Sequence, residues 1–186
     1  MDEFGRNVSK SSEQLFIEMC FCILTANYRA DRVLEIVDKI DRGFIDLEYP
    51  ALRDKLRELG YRYPNVRAKY IVENRWVIPI LKDIIMEYSN DLYRLRNWLS
   101  KNIKGLGYKE ASHFMRNIGF RDIAIIDFHI LRILVNHDII AQPKYLSKKV
   151  YLEIEDILRR IARDLGVSLA ELDLYLWYIE TGKILK

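Results

Sequence analysis

Ile103-Lys-Gly-Leu-Gly-Tyr-Lys-Glu-Ala-Ser-His-Phe-Met-Arg-Asn-Ile-Gly119, running on into Phe120-Arg-Asp-Ile-Ala-Ile-Ile-Asp-Phe-His129, is the stretch that decides the fold. Gly105 and Gly107 leave the backbone bare where two helix-like segments meet, so the chain can turn sharply there. Ile103 and Leu106 are placed to anchor that turn in a core. The amides of such a turn, and of the first residues of the next helix, lack intrahelical partners and attract an anion. With Lys104 and Lys109 beside them, a nucleic-acid phosphate is the natural one. A bare Gly-x-Gly is equally a tight connection with no ligand. Here the flanking hydrophobics and the local charge favour the grip.

That charge is uneven along the chain. The 186 residues carry a formal net charge of +3, a weak signal for a nucleic-acid partner. Residues 92–121 hold Arg94, Arg96, Lys101, Lys104, Lys109, Arg116 and Arg121 against a single acid, Glu110, a local balance of +6, so the remainder sums to −3. A basic stripe centred on the glycine turn is what a phosphate-docking surface requires. Half of the residues are hydrophobic, with 8 glycines and 4 prolines, which excludes a disordered chain. No apolar run approaches a membrane span of about 18 residues, and the first dozen residues are polar, so a soluble, cytoplasmic protein is expected. Cys20 and Cys22 are the only cysteines. They read as buried reduced thiols, and they exclude an iron–sulfur cluster or a zinc site built on cysteine pairs; no cofactor or metal is expected.

Outside the turn the periodicity is helical nearly throughout, and the fold class is all-α. Ser11-Ser-Glu-Gln14 has the form of a capping box and opens an apolar helix to about Thr25. Further helices are expected over 30–40, from Pro50 to Gly60, from Pro64 to Trp76, and after an interruption at Pro79 to about Tyr88. The arms of the hairpin cover 92–103 and 108–118, the second closed by Gly119. Ile123-Ala-Ile-Ile126 is too short for a helix and reads as a buried connector leading to Asp127, which could cap a helix over 128–136. Ser147 opens a helix with one apolar stripe, and Ser168-Leu-Ala-Glu171 is a second capping box, opening the last helix to about Thr181.

Lys109 and Asp127 carry the chemistry. Lys109, in the first turn of the second arm, is by itself a surface lysine. The positive end of a helix disfavours another positive charge, however, and so favours the neutral amine that a nucleophile requires. Asp127 as a helix cap would be held ionised by the amides it accepts from, at a place where it could stabilise a cationic sugar. His129 is suited to a phosphate contact, whereas His113 and His137 read as structural or exposed.

Gly105-Leu-Gly-Tyr-Lys109-Glu-Ala with Asp127-Phe-His129 resembles the helix–hairpin–helix superfamily of DNA glycosylases, in its lysine-bearing, bifunctional branch. Phe21-Cys-Ile-Leu-Thr-Ala-Asn27, Leu59-Gly-Tyr-Arg-Tyr63, the segment from Lys109 to Gly119, Ala124-Ile-Ile-Asp127 and the ending from Asp173 to Lys186 are similar to the compact 8-oxoguanine glycosylases of archaea and thermophilic bacteria. The likeness runs from about Ser11 to the last residue. It implies a single catalytic unit of two helical lobes around a cleft, one spanning 26–119 and ending in the helix–hairpin–helix at 92–119, the other formed by 1–25 plus 120–186. It further implies excision of 8-oxoguanine from double-stranded DNA by a monomer, followed by strand nicking, with Lys109 and Asp127 as the catalytic pair. Base recognition would fall to Tyr63, Trp177 and Lys186, and DNA binding to Lys104, Gly105, Gly107, His129 and Asn27. Flat aromatic faces suit an extruded purine, although Tyr63 and Trp177 are equally candidates for core packing.

The chain departs from the family in three places. It starts part-way along the usual N-terminal helix, Arg32-Val33 stands where relatives show a glycine pair, and Phe128 replaces the basic residue common between the aspartate and the histidine. None of these touches Lys109 or Asp127. Alternatives are a glycosylase for another oxidised base and a non-catalytic helix–hairpin–helix module that binds DNA without chemistry. A purely structural helical adaptor would leave the basic stripe unexplained. A simple grip needs neither the lysine nor the aspartate.

Overall fold

A computed structural model describes residues 10–182, and all of their regular structure is helical. The first helix, α1 (Ser12–Thr25), starts at the expected capping box: the Ser11 hydroxyl accepts from the Gln14 N–H at 3.2 Å, and the Gln14 side chain accepts from the Ser11 N–H at 2.9 Å. From Leu15 to Thr25 it is buried on nearly every face. A helix that is apolar all round belongs inside a domain, and the rest of the first half wraps it. In order come α2 (Ala30–Ile40), the single turn α3 (Gly43–Asp46), α4 (Tyr49–Glu58), α5 (Pro64–Asn74), a 3-10 turn (Arg75–Val77), α6 (Ile78–Glu87), α7 (Leu92–Asn102) and α8 (Tyr108–Asn117). Of these, α2, α3, α5, α6 and α8 pack directly on α1.

Two local expectations differ from what forms. The turn α3 was not anticipated, because four residues carry no readable period. Pro79 does not interrupt a helix but sits in the first turn of α6, where the missing N–H had no partner to lose. The break falls earlier, at the 3-10 turn containing Trp76.

After α8 the chain runs without regular structure to Asp127, then forms α9 (Phe128–Asn136), α10 (Lys148–Asp164) and α11 (Leu169–Thr181). Buried apolar side chains divide at this crossing. One cluster extends from Leu15 to Ile123 and the other from Ala124 to Leu172. The first cluster takes in α1 together with the helices that wrap it. Cys20 and Cys22 are free thiols in the first cluster.

The connector between the clusters is held by side chains. Buried backbone N–H groups must find partners, and an extended segment with no strand beside it cannot supply them. The Ala124 N–H donates to Glu155 Oε1 at 3.2 Å, the Ile125 N–H to Asp173 Oδ1 at 3.1 Å, and the Ile126 N–H to the Tyr151 hydroxyl at 3.1 Å. Tyr151 in turn donates to the Ala124 carbonyl at 2.8 Å. Glu155 also closes a buried two-pronged ion pair with Arg96 of α7 at 2.8 and 2.7 Å, with 3% and 2% of the two side chains exposed. The hairpin's first arm is thereby tied to the second cluster.

Removing one partner of a buried pair strands the other charge, which costs about 3–5 kcal/mol. Glu155→Leu should therefore lower the free energy of urea unfolding by that amount. Lys55→Ala, which removes an exposed pair with Glu58, should leave it nearly unchanged. Equal, small effects would show that the Arg96–Glu155 pair does not hold the clusters together.

Candidate active site and nucleic-acid interface

The hairpin between α7 and α8 is anchored as the sequence implies. Ile103 and Leu106 are each 3% exposed. Gly105 adopts φ +86°, a conformation disfavoured for any residue with a Cβ. A Cβ built there would also lie 2.8 Å from Tyr70 Cδ2 and 3.2 Å from Ile23 Cγ2. The turn is clamped by a residue that no motif indicated: buried Asn74 accepts from the Lys104 N–H at 3.0 Å and donates to the Lys104 carbonyl at 2.9 Å. The Lys104 ammonium pairs with Glu73 at 2.9 Å. No side chain caps α8 at Gly107, so its first-turn amides have no intrahelical partner. A groove of about 500 Å³ runs over Lys101, Lys104, Gly105 and Gly107 and reaches Asn27.

On the other side of Asn27 opens a cavity of about 790 Å³. That is within the range of pockets that enclose small ligands, roughly 300–1,000 Å³. Lys109, Asp127, His129 and Trp177 line it together, although 18 residues separate the first two and 50 the second from the last. Asn27, at φ +60°, lines both the cavity and the hairpin groove and so marks the ridge between them. Tyr63 is not among the lining residues. It is half-buried against the first cluster with Arg62 over its ring at 5.1 Å, and it is Arg62 that faces the cavity. Lys186 lies outside the described residues.

Each side chain is placed by its helix. Lys109 is in the first turn of α8, and one and two turns further along the same face come His113 and Arg116, both lining the cavity. The Lys109 ammonium is 3.2 Å from the Glu110 carboxylate, with 29% of the lysine side chain exposed. Asp127 caps α9 as expected: its Oδ1 accepts from the His129 N–H at 2.9 Å and the Ile130 N–H at 3.0 Å. Neither bond uses Oδ2, the second oxygen of this cavity-lining carboxylate. His129 meets Trp177 edge-on with ring centroids 4.8 Å apart. The exposed Phe128 ring also lies against it, with ring centroids 3.8 Å apart. On the outer side Glu180 pairs with Arg132 and approaches His129 Nδ1 to 3.8 Å.

Asp173 and Arg116 complete the wall. They form an ion pair at 2.6 Å, with 5% and 12% of the side chains exposed. Spacing in sequence could not assign them to the site, because Asp173 reaches it from α11 by tertiary packing alone.

The fold and the cavity define the class: a helix–hairpin–helix protein in which an amine and a capped carboxylate face one pocket beside the hairpin. The family described as 8-oxoguanine DNA glycosylase matches residues 1–167, and the chain belongs to it. Its sequence is 54% identical to the 8-oxoguanine DNA glycosylase/AP lyase of Korarchaeum cryptofilum over 100% of this chain and 88% of that protein. The fold is similar to the Methanocaldococcus jannaschii 8-oxoguanine glycosylase/lyase crystallised with a 15mer DNA containing 8-oxoguanine, with a TM-score of 0.94, 48% identity, and 100% and 89% of the two chains covered. The Thermotoga maritima 8-oxoguanine DNA glycosylase superimposes with a TM-score of 0.92 at 45% identity, over 100% of this chain and 88% of that one. No described helix is long and apolar enough to cross a membrane.

The two hairpin glycines should respond differently to alanine. At Gly105 the positive φ and the Tyr70 ring both resist a Cβ, and strain of this kind costs on the order of 1–3 kcal/mol. Gly107 has φ −78°, and its added Cβ would meet only the flexible end of Glu110, at 2.9 Å. Thermal unfolding should show a clear loss for Gly105→Ala and a smaller one for Gly107→Ala. The reverse order would contradict the turn geometry.

Proposed function

We propose that this chain excises 8-oxoguanine from duplex DNA and then nicks the abasic strand through a covalent lysine intermediate. The observation that carries the proposal is the meeting of Lys109, Asp127 and Trp177 in one cavity beside an uncapped glycine hairpin. The relatives named above supply the substrate class.

The hairpin amides, with Lys104 and Lys101, hold a backbone phosphate at the groove. The damaged nucleotide leaves the stack, because its sugar and base edge are unreachable inside a duplex. Its purine enters the cavity against Trp177, while Asn27 stands at the ridge and faces the duplex. His129 contributes a phosphate contact. Tyr63 supports base recognition from behind Arg62.

In the chemical step Lys109 Nζ attacks the anomeric carbon. The N-glycosidic bond breaks, and the base departs with the bonding pair and takes up a proton. The Asp127 carboxylate, fixed by two amides, stabilises the positive charge that develops on the sugar. Ring opening and loss of the amine proton give a Schiff base. Removal of a proton from the adjacent carbon then expels the 3′ phosphate and breaks the strand. DNA as substrate places the work in the cytoplasm, and the chain acts as a monomer.

Borohydride reduces a Schiff base to a stable protein–DNA adduct. The native chain should be trapped on duplex DNA carrying one 8-oxoguanine, and Lys109→Gln should give no adduct. Equal trapping by the variant would assign the nucleophile elsewhere. Asp127→Asn keeps an oxygen to accept the two capping amides, so folding should survive. Excision should slow by a factor on the order of 10², the usual scale for removing one electrostatic stabiliser, as measured in single-turnover assays with gel separation.

A further inference from the structure

Asp173 opens the C-terminal stretch that carries part of the family likeness but has no role in the mechanism above, yet three elements of the cavity meet at it. Its Oδ2 accepts from Arg116 at 2.6 Å. Arg116 lies two turns beyond Lys109 on the same face of α8. Its Oδ1 accepts from the Ile125 N–H at 3.1 Å, two residues before Asp127. Asp173 itself is carried by α11, one turn before Trp177. The start of α11 is in turn fixed to the chain before the connector, through the Ala170 N–H on the Arg121 carbonyl at 2.9 Å and the Arg121–Glu171 pair at 2.7 Å. One carboxylate, 4% exposed, thus bridges the helix bearing the amine, the segment bearing the catalytic carboxylate, and the helix bearing the aromatic wall.

We propose that Asp173, through Arg116 and the Ile125 amide, is the positioning residue that sets the distance between Lys109 and Asp127, and that it does so only as the carboxylate. The inference rests on the lysine mechanism proposed above. In its ionised form Asp173 holds both partners with charge-assisted bonds. Protonated, it loses the charge that holds Arg116, and α8 is free to shift against the connector. Displacements of about 1 Å in a catalytic constellation cost on the order of 10²-fold in rate.

Burial pushes the Asp173 carboxyl up to about 6, opposed by Arg116 and the Ile125 N–H and reinforced by the nearby Asp127. The other charged and titratable groups lining the cavity include Lys109 and His113 on α8, His129 on α9, and Arg29, Asp31 and Arg62. Because the folded value lies above the unfolded one, Asp173 contributes stability that is fully present at low pH and is lost as the pH rises through about 6. Activity should move the other way, falling as the pH drops through the same region. Loss of the stability that Asp173 itself contributes therefore cannot explain a rate lost on the acid side.

The test is single-turnover excision by the full chain on duplex DNA containing one 8-oxoguanine, measured across the acid and neutral range, alongside affinity for a duplex with an uncleavable lesion analogue. The native chain should lose rate below about pH 6. Asp173→Asn, fixed in the neutral form, should be slower by about tenfold or more at neutral pH, should lack that acid limb, and should keep its affinity. A variant as fast as the native chain overturns the proposal, and so does a slow one that retains the native limb. Should Asp173→Asn fail to fold, Arg116→Gln replaces it. That variant should be slow, with its acid limb moved to higher pH because the opposing cation is gone; a native rate or an unmoved limb overturns the proposal. If the native chain excises no 8-oxoguanine at all, the functional proposal fails instead, so the two failures are distinguishable.

Discussion

Three consecutive amides, at Ala124, Ile125 and Ile126, are satisfied by three side chains from two helices, and the arrangement of the molecule depends on this constraint. A buried extended segment without a neighbouring strand has no backbone partners of its own. Glu155 and Tyr151 from α10 and Asp173 from α11 supply them. The segment is thereby fixed where the two apolar clusters meet, and Asp127 leaves it at a defined point to cap α9. Each of these side chains has a further bond that reaches elsewhere: Glu155 to Arg96 on α7, Tyr151 to the Ser112 hydroxyl on α8, Asp173 to Arg116 on α8. The cost of burying these polar groups is offset only if every one is paired.

The hairpin uses a different solution to the same problem. No side chain caps the helix that follows it, and the turn is held by Asn74, which satisfies both the N–H and the carbonyl of Lys104. Ile103 and Leu106 fill the core beneath, and Gly105, at φ +86°, has no Cβ to meet the Tyr70 ring. Grip and cavity share α8: its N-terminus belongs to the groove, and the face bearing Lys109, His113 and Arg116 belongs to the cavity. In the proposed reaction, a phosphate held at the first would set where the sugar lies in the second.

Much of this was legible in the sequence because the determinants were local. Capping boxes at Ser11 and Ser168, the glycines of the hairpin and the cap at Asp127 act within a few residues of themselves, and each formed as its pattern implied. The connector was recognised as buried, but its partners were not, since Glu155 and Asp173 reach it only through packing between distant helices. Asn74 was invisible for the same reason: an asparagine at the end of a helix has no pattern that says it clamps a turn 30 residues away. Pro79 misled because proline stops a helix from within but starts one as readily. Tyr63, placed in base recognition by the family likeness, is half-buried against the first cluster with Arg62 over its ring, and Arg62 is the neighbour that lines the cavity.

The most direct measurement of the central claim is a crystal structure of the Lys109→Gln variant bound to duplex DNA containing 8-oxoguanine. The account predicts the lesion nucleotide extruded into the cavity, its anomeric carbon between residue 109 and Asp127, and a backbone phosphate on the amides after Gly107. A lesion left stacked in the duplex, or a sugar lodged out of reach of both side chains, would contradict it.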